Sequence, residues 1–180
     1  ARPRAGEILL LDARSESAGG SVHLQFLSQS PAKSVWDVIL SCEAALIFVD
    51  GIRVCDILED PGDRLRIHQV IKRGWLIPTQ DIVVEFQRDP YRALRYTLAE
   101  GNLRDLEGSW LFTETPDGVL VDVRVRVVPA VPAPRFLVRW TMNRDMPDLA
   151  ACVRGLAAGS GSGEERAADL ARCPGKAPVP

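Results

Sequence analysis

YRALRYTLAEGNLRDLEGSWLFTETPDGVLVDVRVRVV, residues 91–128, is the stretch whose reading decides the fold. It divides into three strands, Tyr91 to Glu100, Leu103 to Thr115 and Val119 to Val128. In the last, Val119, Val121, Val123, Val125 and Val127 fall on one face while Leu120, Asp122, Arg124 and Arg126 fall on the other. The middle strand carries Leu106, Trp110 and Phe112 on one side, with Gly108 leaving a space among them. The first carries Leu94, Tyr96 and Leu98. Pro116-Asp117-Gly118 and Gly101-Asn102 supply the residue types of tight reversals. A broad sheet with one apolar face needs a cover, and the amphipathic segment that can provide it lies downstream, around Phe136 to Leu156.

Working outward, Glu7 to Arg14 and Val22 to Ser28 read as a leading strand and its partner, separated by the turn-rich Ser15–Gly20. Ser30-Pro31 opens a helix, with Ser30 as N-cap, Pro31 at the first helical position, and Val35, Trp36, Ile39 and Leu40 as its apolar stripe. A second short helix runs from Cys42 to Val49 and stops at Asp50-Gly51. Ile52 to Glu59 and Arg64 to Arg73 form a hairpin around Asp60-Pro61-Gly62-Asp63. Gly74-Trp75-Leu76-Ile77-Pro78 is either a bulged strand or a loop, and the strand Thr79 to Gln87 follows. Pro129, Pro132 and Pro134 make a stiff connector. The final helix starts near Arg135, with a kink or restart at Pro147 capped by Asn143 or Asp145, and turns Leu149, Cys152, Val153 and Leu156 to the sheet. Residues 1–20 are then a tail and extra strand, 21–158 one domain, and 159–180 a Gly/Ser linker, an isolated turn or two of helix at 164–172, and a disordered end.

With 180 residues, 46% of them hydrophobic, and a net charge of −2, the chain fits one domain with one core. Its 19 arginines and three lysines alternate with acids and form no basic face, which argues against nucleic acid. No run approaches the ~20 apolar residues of a membrane span. Cys42, Cys55, Cys152 and Cys173 lack C-x-x-C spacing, so a structural zinc is not expected. The chain opens at Ala1 without a methionine, which is read as a removed signal peptide or a trimmed chain. Export makes a Cys42–Cys55 bridge possible, although four thiols packed as small hydrophobes is the preferred reading.

The order strand, two short helices, hairpin-linked strands and one long C-terminal helix is that of the helix-grip fold, an α+β architecture. From about Ser21 to Ala158 the chain resembles the START-related (SRPBCC) superfamily, and within it the polyketide cyclase/dehydrase and coenzyme-Q-binding family. The likeness is carried by Ser30-Pro31-Ala32-Lys33-Ser34-Val35-Trp36-Asp37-Val38, by Glu100-Gly101-Asn102-Leu103-Arg104-Asp105-Leu106-Glu107-Gly108-Ser109-Trp110, by Pro134-Arg135-Phe136-Leu137 and by Arg144-Asp145-Met146-Pro147. The leading strand and missing methionine resemble the exported bacterial branch, so an exported or periplasmic location is favoured over a cytoplasmic one. The resemblance implies a curved antiparallel sheet of about seven strands gripping the last helix, with a hydrophobic tunnel between them. Two departures are Ser41-Cys42-Glu43, where many members have an Asp-Tyr-Glu corner, and Gly74–Pro78 in place of a smooth strand.

Candidate chemistry is sparse. Strand alternation turns His23 and His68 away from the apolar faces of their strands, and no third histidine, phosphate loop or Gly-x-Ser-x-Gly elbow occurs. No cofactor, metal or catalytic residue is therefore assigned. Apolar lining is plentiful: Trp36, Trp75, Phe86, Tyr96, Trp110, Phe112, Trp140 and Met142 are candidates to face the space between sheet and helix, with Gln69, Tyr96 and Trp110 as polar anchors. Each could equally be ordinary core. Trp75-Leu76-Ile77 is either a lip that touches a membrane transiently or an inward strand. The preferred function is binding or transfer of a lipid, quinone or similar hydrophobic small molecule. An aromatase/cyclase-type enzyme acting on a polyketide-like substrate through Tyr96 is the alternative, and a protein-interaction module with a filled core is the weaker third.

Overall fold

Period-two alternation produces strands, and the computed structural model, which describes residues 2–16 and 18–175, joins eight of them into one antiparallel sheet. They are β1 (Ile8–Ser15), β2 (Gly20–Ser28), β3 (Ile52–Glu59), β4 (Arg64–Ile71), β5 (Gln80–Asp89), β6 (Ala93–Gly101), β7 (Leu103–Thr115) and β8 (Gly118–Pro129), in the order β1-β2-β8-β7-β6-β5-β4-β3. The count is eight rather than about seven because β1 pairs along β2, from Ile8 opposite Phe26 to Ser15 opposite Gly20. The α+β helix-grip architecture is the one observed.

Directly opposed residues of antiparallel strands share a face, so the register defines the inner surface. Leu24, Val123, Trp110 and Leu94 are successive partners across β2, β8, β7 and β6. One row along, Val22, Val125, Gly108, Tyr96, Phe86 and Leu65 cross six strands. The opposite surface carries His23, Arg124, Ser109, Arg95, Gln87 and Arg64 in a polar row.

Three helical layers cover the inner face. Helix α1 (Ala32–Ile39) buries Ala32, Val35, Trp36 and Ile39. Its N-cap is Pro31 rather than Ser30, since the Ser30 N–H donates to the Ser28 hydroxyl, which in turn donates to the Ser30 carbonyl. Helix α2 (Cys42–Phe48) is capped by Ser41, whose hydroxyl accepts from the Ala44 N–H at 3.1 Å. The last helical segment consists of α3 (Arg135–Trp140), a π-helical turn over Thr141–Asp145, and α4 (Met146–Ala157). Pro147 neither breaks nor restarts it: a proline in the first turn of α4 is tolerated, and the π turn ahead of it absorbs the altered hydrogen bonding. Neither expected cap serves, because Asn143 donates to the Arg139 carbonyl and Asp145 turns outward to Arg73. Ala150, Ala151, Cys152 and Val153 are fully buried, and Leu149 and Leu156 pack partly buried against the core.

Two expectations need correction. The four cysteines are not free: Cys42 is bridged to Cys55 and Cys152 to Cys173. Cys42 opens α2 and Cys55 lies on the edge strand β3, with Cα atoms 5.4 Å apart, inside the range a bridge can span. Nor is the helix after the Gly/Ser segment isolated. As α5 (Glu164–Leu170) it packs on α4, where the Arg154 guanidinium donates twice to the Asp169 carboxylate at 2.7 Å. The same guanidinium donates to the Gly6 and Glu7 carbonyls, so one buried ion pair ties the start of the chain and α5 to the gripping helix. Such a pair offsets its desolvation only when the remaining donors are satisfied, and here the backbone carbonyls satisfy them. The disordered end expected beyond residue 174 falls largely on residues 176–180, outside the described residues. No helix among the described residues is long and apolar enough to cross a membrane.

Candidate functional site

Between the inner face of the sheet, α2 and the first turn of α4 lies a cavity of about 220 Å3. Its floor is β4 to β8, through Ile67, Val84, Leu106, Val125 and Val127, and its roof is Ala45, Phe48 and Val49 of the α2 region together with Met146 and Leu149 of α4. The composition follows from the sheet register. Residues one row apart on one face are the i and i+2 positions of each strand, and these are the apolar set of every strand that contributes. Gly108 shapes the floor: a β-carbon there would come within 2.3 Å of the Tyr96 ring and hydroxyl, so its absence is what lets the phenol lie across β7. The space read beside Gly108 is thus occupied by Tyr96.

Among the expected site residues, Gln69, Phe86, Tyr96 and Trp110 line this cavity. The tilted rings of Phe86 and Tyr96 are 5.4 Å apart. Trp36 and Phe112 lie outside the lining; both are buried and stack on each other with centroids 6.0 Å apart, closing the core beyond the cavity. Met142 is buried beside Gly20 and Val138 rather than in the cavity. Trp75 and Trp140 do not face inward at all. They are 90% and 53% exposed and border a separate surface hollow. Between the two readings of Gly74–Pro78, the loop is the one found, with β4 ending at Ile71 and β5 starting at Gln80. Gly74 takes a positive φ of 69° that makes this turn. Trp75 and Leu76 project outward, and Ile77 is half-buried.

Phe48, Val49, Met146 and Leu149 had no sequence signal beyond helical spacing, which marks a buried stripe without saying whether it meets a neighbour or a void. Arg73 carried no signal either. Its guanidinium joins Asp50, at the turn after α2, to Asp145, in the π turn, and so spans the gap between the β4–β5 loop and the final helix.

Polar chemistry within the cavity is limited to a few groups. Among the described residues, the Gln69 amide, the Tyr96 hydroxyl and the Trp110 indole N–H have no hydrogen-bond partner, although all three side chains line the cavity. Burial pushes the Tyr96 phenol well above its ordinary pKa, so it stays protonated at neutral pH and acts as a donor rather than a base. The imidazoles are remote from each other and on the outer face, His23 at 2.7 Å from Asp122 and His68 at 2.7 Å from Asp81. Burial raises the Asp122 pKa, but hydrogen bonds from His23 and Gln25 and the charge of Arg124 outweigh it and hold the carboxyl below its usual range. No group of three or more His, Cys, Asp or Glu side chains suited to a metal forms among the described residues.

Comparison with known proteins shows where this geometry recurs. The structure is similar to TTHA0849 from Thermus thermophilus, at 17% identity, with 79% of this chain and 99% of that one covered and a TM-score of 0.62. It is similar to the Zhui aromatase/cyclase from Streptomyces sp. R1128, at 18% identity, 79% and 98% coverage and a TM-score of 0.60. It is also similar to a STAR-related lipid transfer protein (fragment 25-204) from Xanthomonas axonopodis, at 15% identity, 83% and 98% coverage and a TM-score of 0.64. At these identities the likeness is one of fold. No curated protein matches. Residues 29–154 match the model of the family described as polyketide cyclase / dehydrase and lipid transport, well over half of the chain, and the protein belongs to that family.

Proposed function

We propose that this protein binds or transfers a hydrophobic small molecule, a lipid, quinone or compound of similar character, in the cavity between sheet and α4, without covalent chemistry. The observation that carries this reading is the trio Gln69, Tyr96 and Trp110, which line an apolar cavity with their polar groups unpaired among the described residues. A ligand carrying a carbonyl or hydroxyl would hydrogen-bond to these groups while burying apolar surface at about 25 cal/mol per Å2. Four of the residues chosen from sequence contribute here, namely Gln69, Phe86, Tyr96 and Trp110. The membership of the coenzyme-Q-binding branch suggested by sequence fits the same chemistry.

Two further elements belong to this reading. The exposed loop Trp75-Leu76-Ile77 is a lip for transient contact with a membrane, since an indole and a leucine held in water beside Arg73 suit the interface between head groups and acyl chains. The location is an oxidising compartment, consistent with the exported branch, because all four cysteines are paired.

The second reading, an aromatase/cyclase-type enzyme, is favoured by one observation: a neutral phenol at Tyr96 with a free hydrogen is placed to donate to a substrate carbonyl.

Native mass spectrometry after gentle purification should show a co-purified apolar ligand, and Leu149→Trp, which fills the cavity from α4, should weaken uptake of an apolar probe at least about tenfold. Unchanged uptake by that variant would place the site elsewhere. For the enzyme reading, Tyr96→Phe should abolish turnover of a polyketide-like substrate and leave its binding intact, whereas equal loss of both counts against catalysis. Trp75→Ser should reduce flotation with phospholipid vesicles by several-fold without altering binding of an uncharged apolar probe held in the inner cavity; undiminished flotation removes the lip. Protein recovered without reductant should contain no free thiol, and reduction should cost about 3 kcal/mol per bridge, or roughly 6–12 °C in melting temperature. Free thiols in freshly recovered protein would argue for a reducing compartment.

A further inference from the structure

The inner cavity, at about 220 Å3, falls below the roughly 300–1,000 Å3 of pockets that enclose a whole drug-sized ligand. A second hollow of about 380 Å3 opens on the surface beside it, walled by Trp75, Leu76 and Trp140. Consecutive residues of the chain line the one and the other. Val49 and Ile71 line the inner cavity, and their chain neighbours Asp50 and Lys72 line the outer hollow. Met146 lines the inner cavity, and the preceding Asp145 is held by Arg73, which also holds Asp50. One guanidinium thus fastens the three segments that meet at this wall.

The outer hollow is unbalanced in charge. Arg53, Lys72 and Arg73 line it against a single lining carboxylate, Asp50. Arg73 is committed to Asp50 and Asp145, while Arg53 and Lys72 have no ion-pair partner among the described residues. Their two segments meet at one close backbone contact, the Lys72 N–H donating to the Gly51 carbonyl at 2.8 Å. The aromatic wall adds to the asymmetry, because the Trp140 ring already faces the Arg144 guanidinium at 5.6 Å.

Resting on the reading of the inner cavity as a hydrophobic-ligand site, we propose that the ligand is an anionic amphiphile. Its carboxylate or phosphate head sits in the outer hollow on Arg53 and Lys72, between Trp75 and Trp140, and a single apolar tail passes the Arg73 latch into the inner cavity. This division accounts for a small apolar chamber adjoining a larger cationic one. It also predicts that head and tail are both required: a tail alone forgoes the cations, and a head alone forgoes the burial that drives binding.

Calorimetric titration of the full chain with dodecanoate, dodecyl phosphate and dodecanol tests this, with acetate and inorganic phosphate as heads without tails. Dodecanoate or dodecyl phosphate should bind about tenfold or more tightly than dodecanol, as charge-assisted hydrogen bonds allow, and the preference should shrink with added salt. The double variant Arg53→Gln, Lys72→Gln should bring the anion down to the affinity of dodecanol. Equal binding of anion and alcohol by the natural chain overturns the proposal, as does a parallel loss of both in the double variant. Acetate or inorganic phosphate displacing dodecanoate at low millimolar concentration would reduce the outer hollow to a free-anion site and also overturn it. Binding of dodecanol with no advantage for the anions leaves the hydrophobic cavity standing without this head-group site; failure of all three chains to bind defeats the cavity reading itself.

Discussion

Everything else in the molecule depends on α4 lying against β1 and β2, with α1 and α2 beside it. Ala150, Ala151, Cys152 and Val153 are fully buried there, as are Leu24 and Phe26 of β2. Short side chains on the helix allow a close approach, and close approach removes water from both surfaces at once. The contact is locked by Arg154, which holds Asp169 and the Gly6 and Glu7 carbonyls, and by the bridge from Cys152 to Cys173. A helix so fastened at its middle cannot follow the sheet along its whole length. The α4 residues that line the cavity, Met146 and Leu149, are at its N-terminal end, ahead of the fully buried run. The cavity is the remainder of a good fit elsewhere.

That account explains why the cavity is polar in only a few places. Its floor is built from alternate positions of five strands, and alternation makes those positions apolar almost without exception. Gln69 on β4 and Gln80 on β5 depart from the pattern, and the hydroxyl of Tyr96 and the N–H of Trp110 come attached to large apolar bodies. Such groups orient a ligand by hydrogen bonding and contribute little to nonspecific affinity. The same economy limits any chemistry: with both imidazoles on the outer face, paired to Asp122 and Asp81, a neutral phenol is the main proton donor available inside.

The wall beside the outer hollow is governed by different physics. Hydrophobic contact holds the walls, but the closure between the β4–β5 loop, the turn after α2 and the π turn rests on Arg73 and two carboxylates at partly exposed positions. Ion pairs in such places are weak and open readily in comparison with a packed core. A π turn at the same spot is in keeping with the occurrence of such irregularities near functional sites. The molecule therefore combines a rigid grip with a wall held by partly exposed ion pairs.

By itself the sequence determined the strands, their faces and the closing helix, because period-two and helical spacing are local and each strand states its own inner face. The three strands of 91–128, the helix read from Cys42 to Val49 and the family likeness were all legible in this way, and so was the membership of Gln69, Phe86, Tyr96 and Trp110 in the inner face. What only the tertiary structure decided was which inward residues meet a void. Phe112 shares the strand face of Trp110 and Trp36 lies on the buried stripe of α1, yet the two pack against each other, and Trp75 and Trp140 turn to solvent, because filling depends on the distance between sheet and helix rather than on hydrophobicity. The pairing of all four cysteines, the return of α5 onto α4 and the Arg73 closure likewise join residues far apart in the chain. Long-range proximity leaves no period to read.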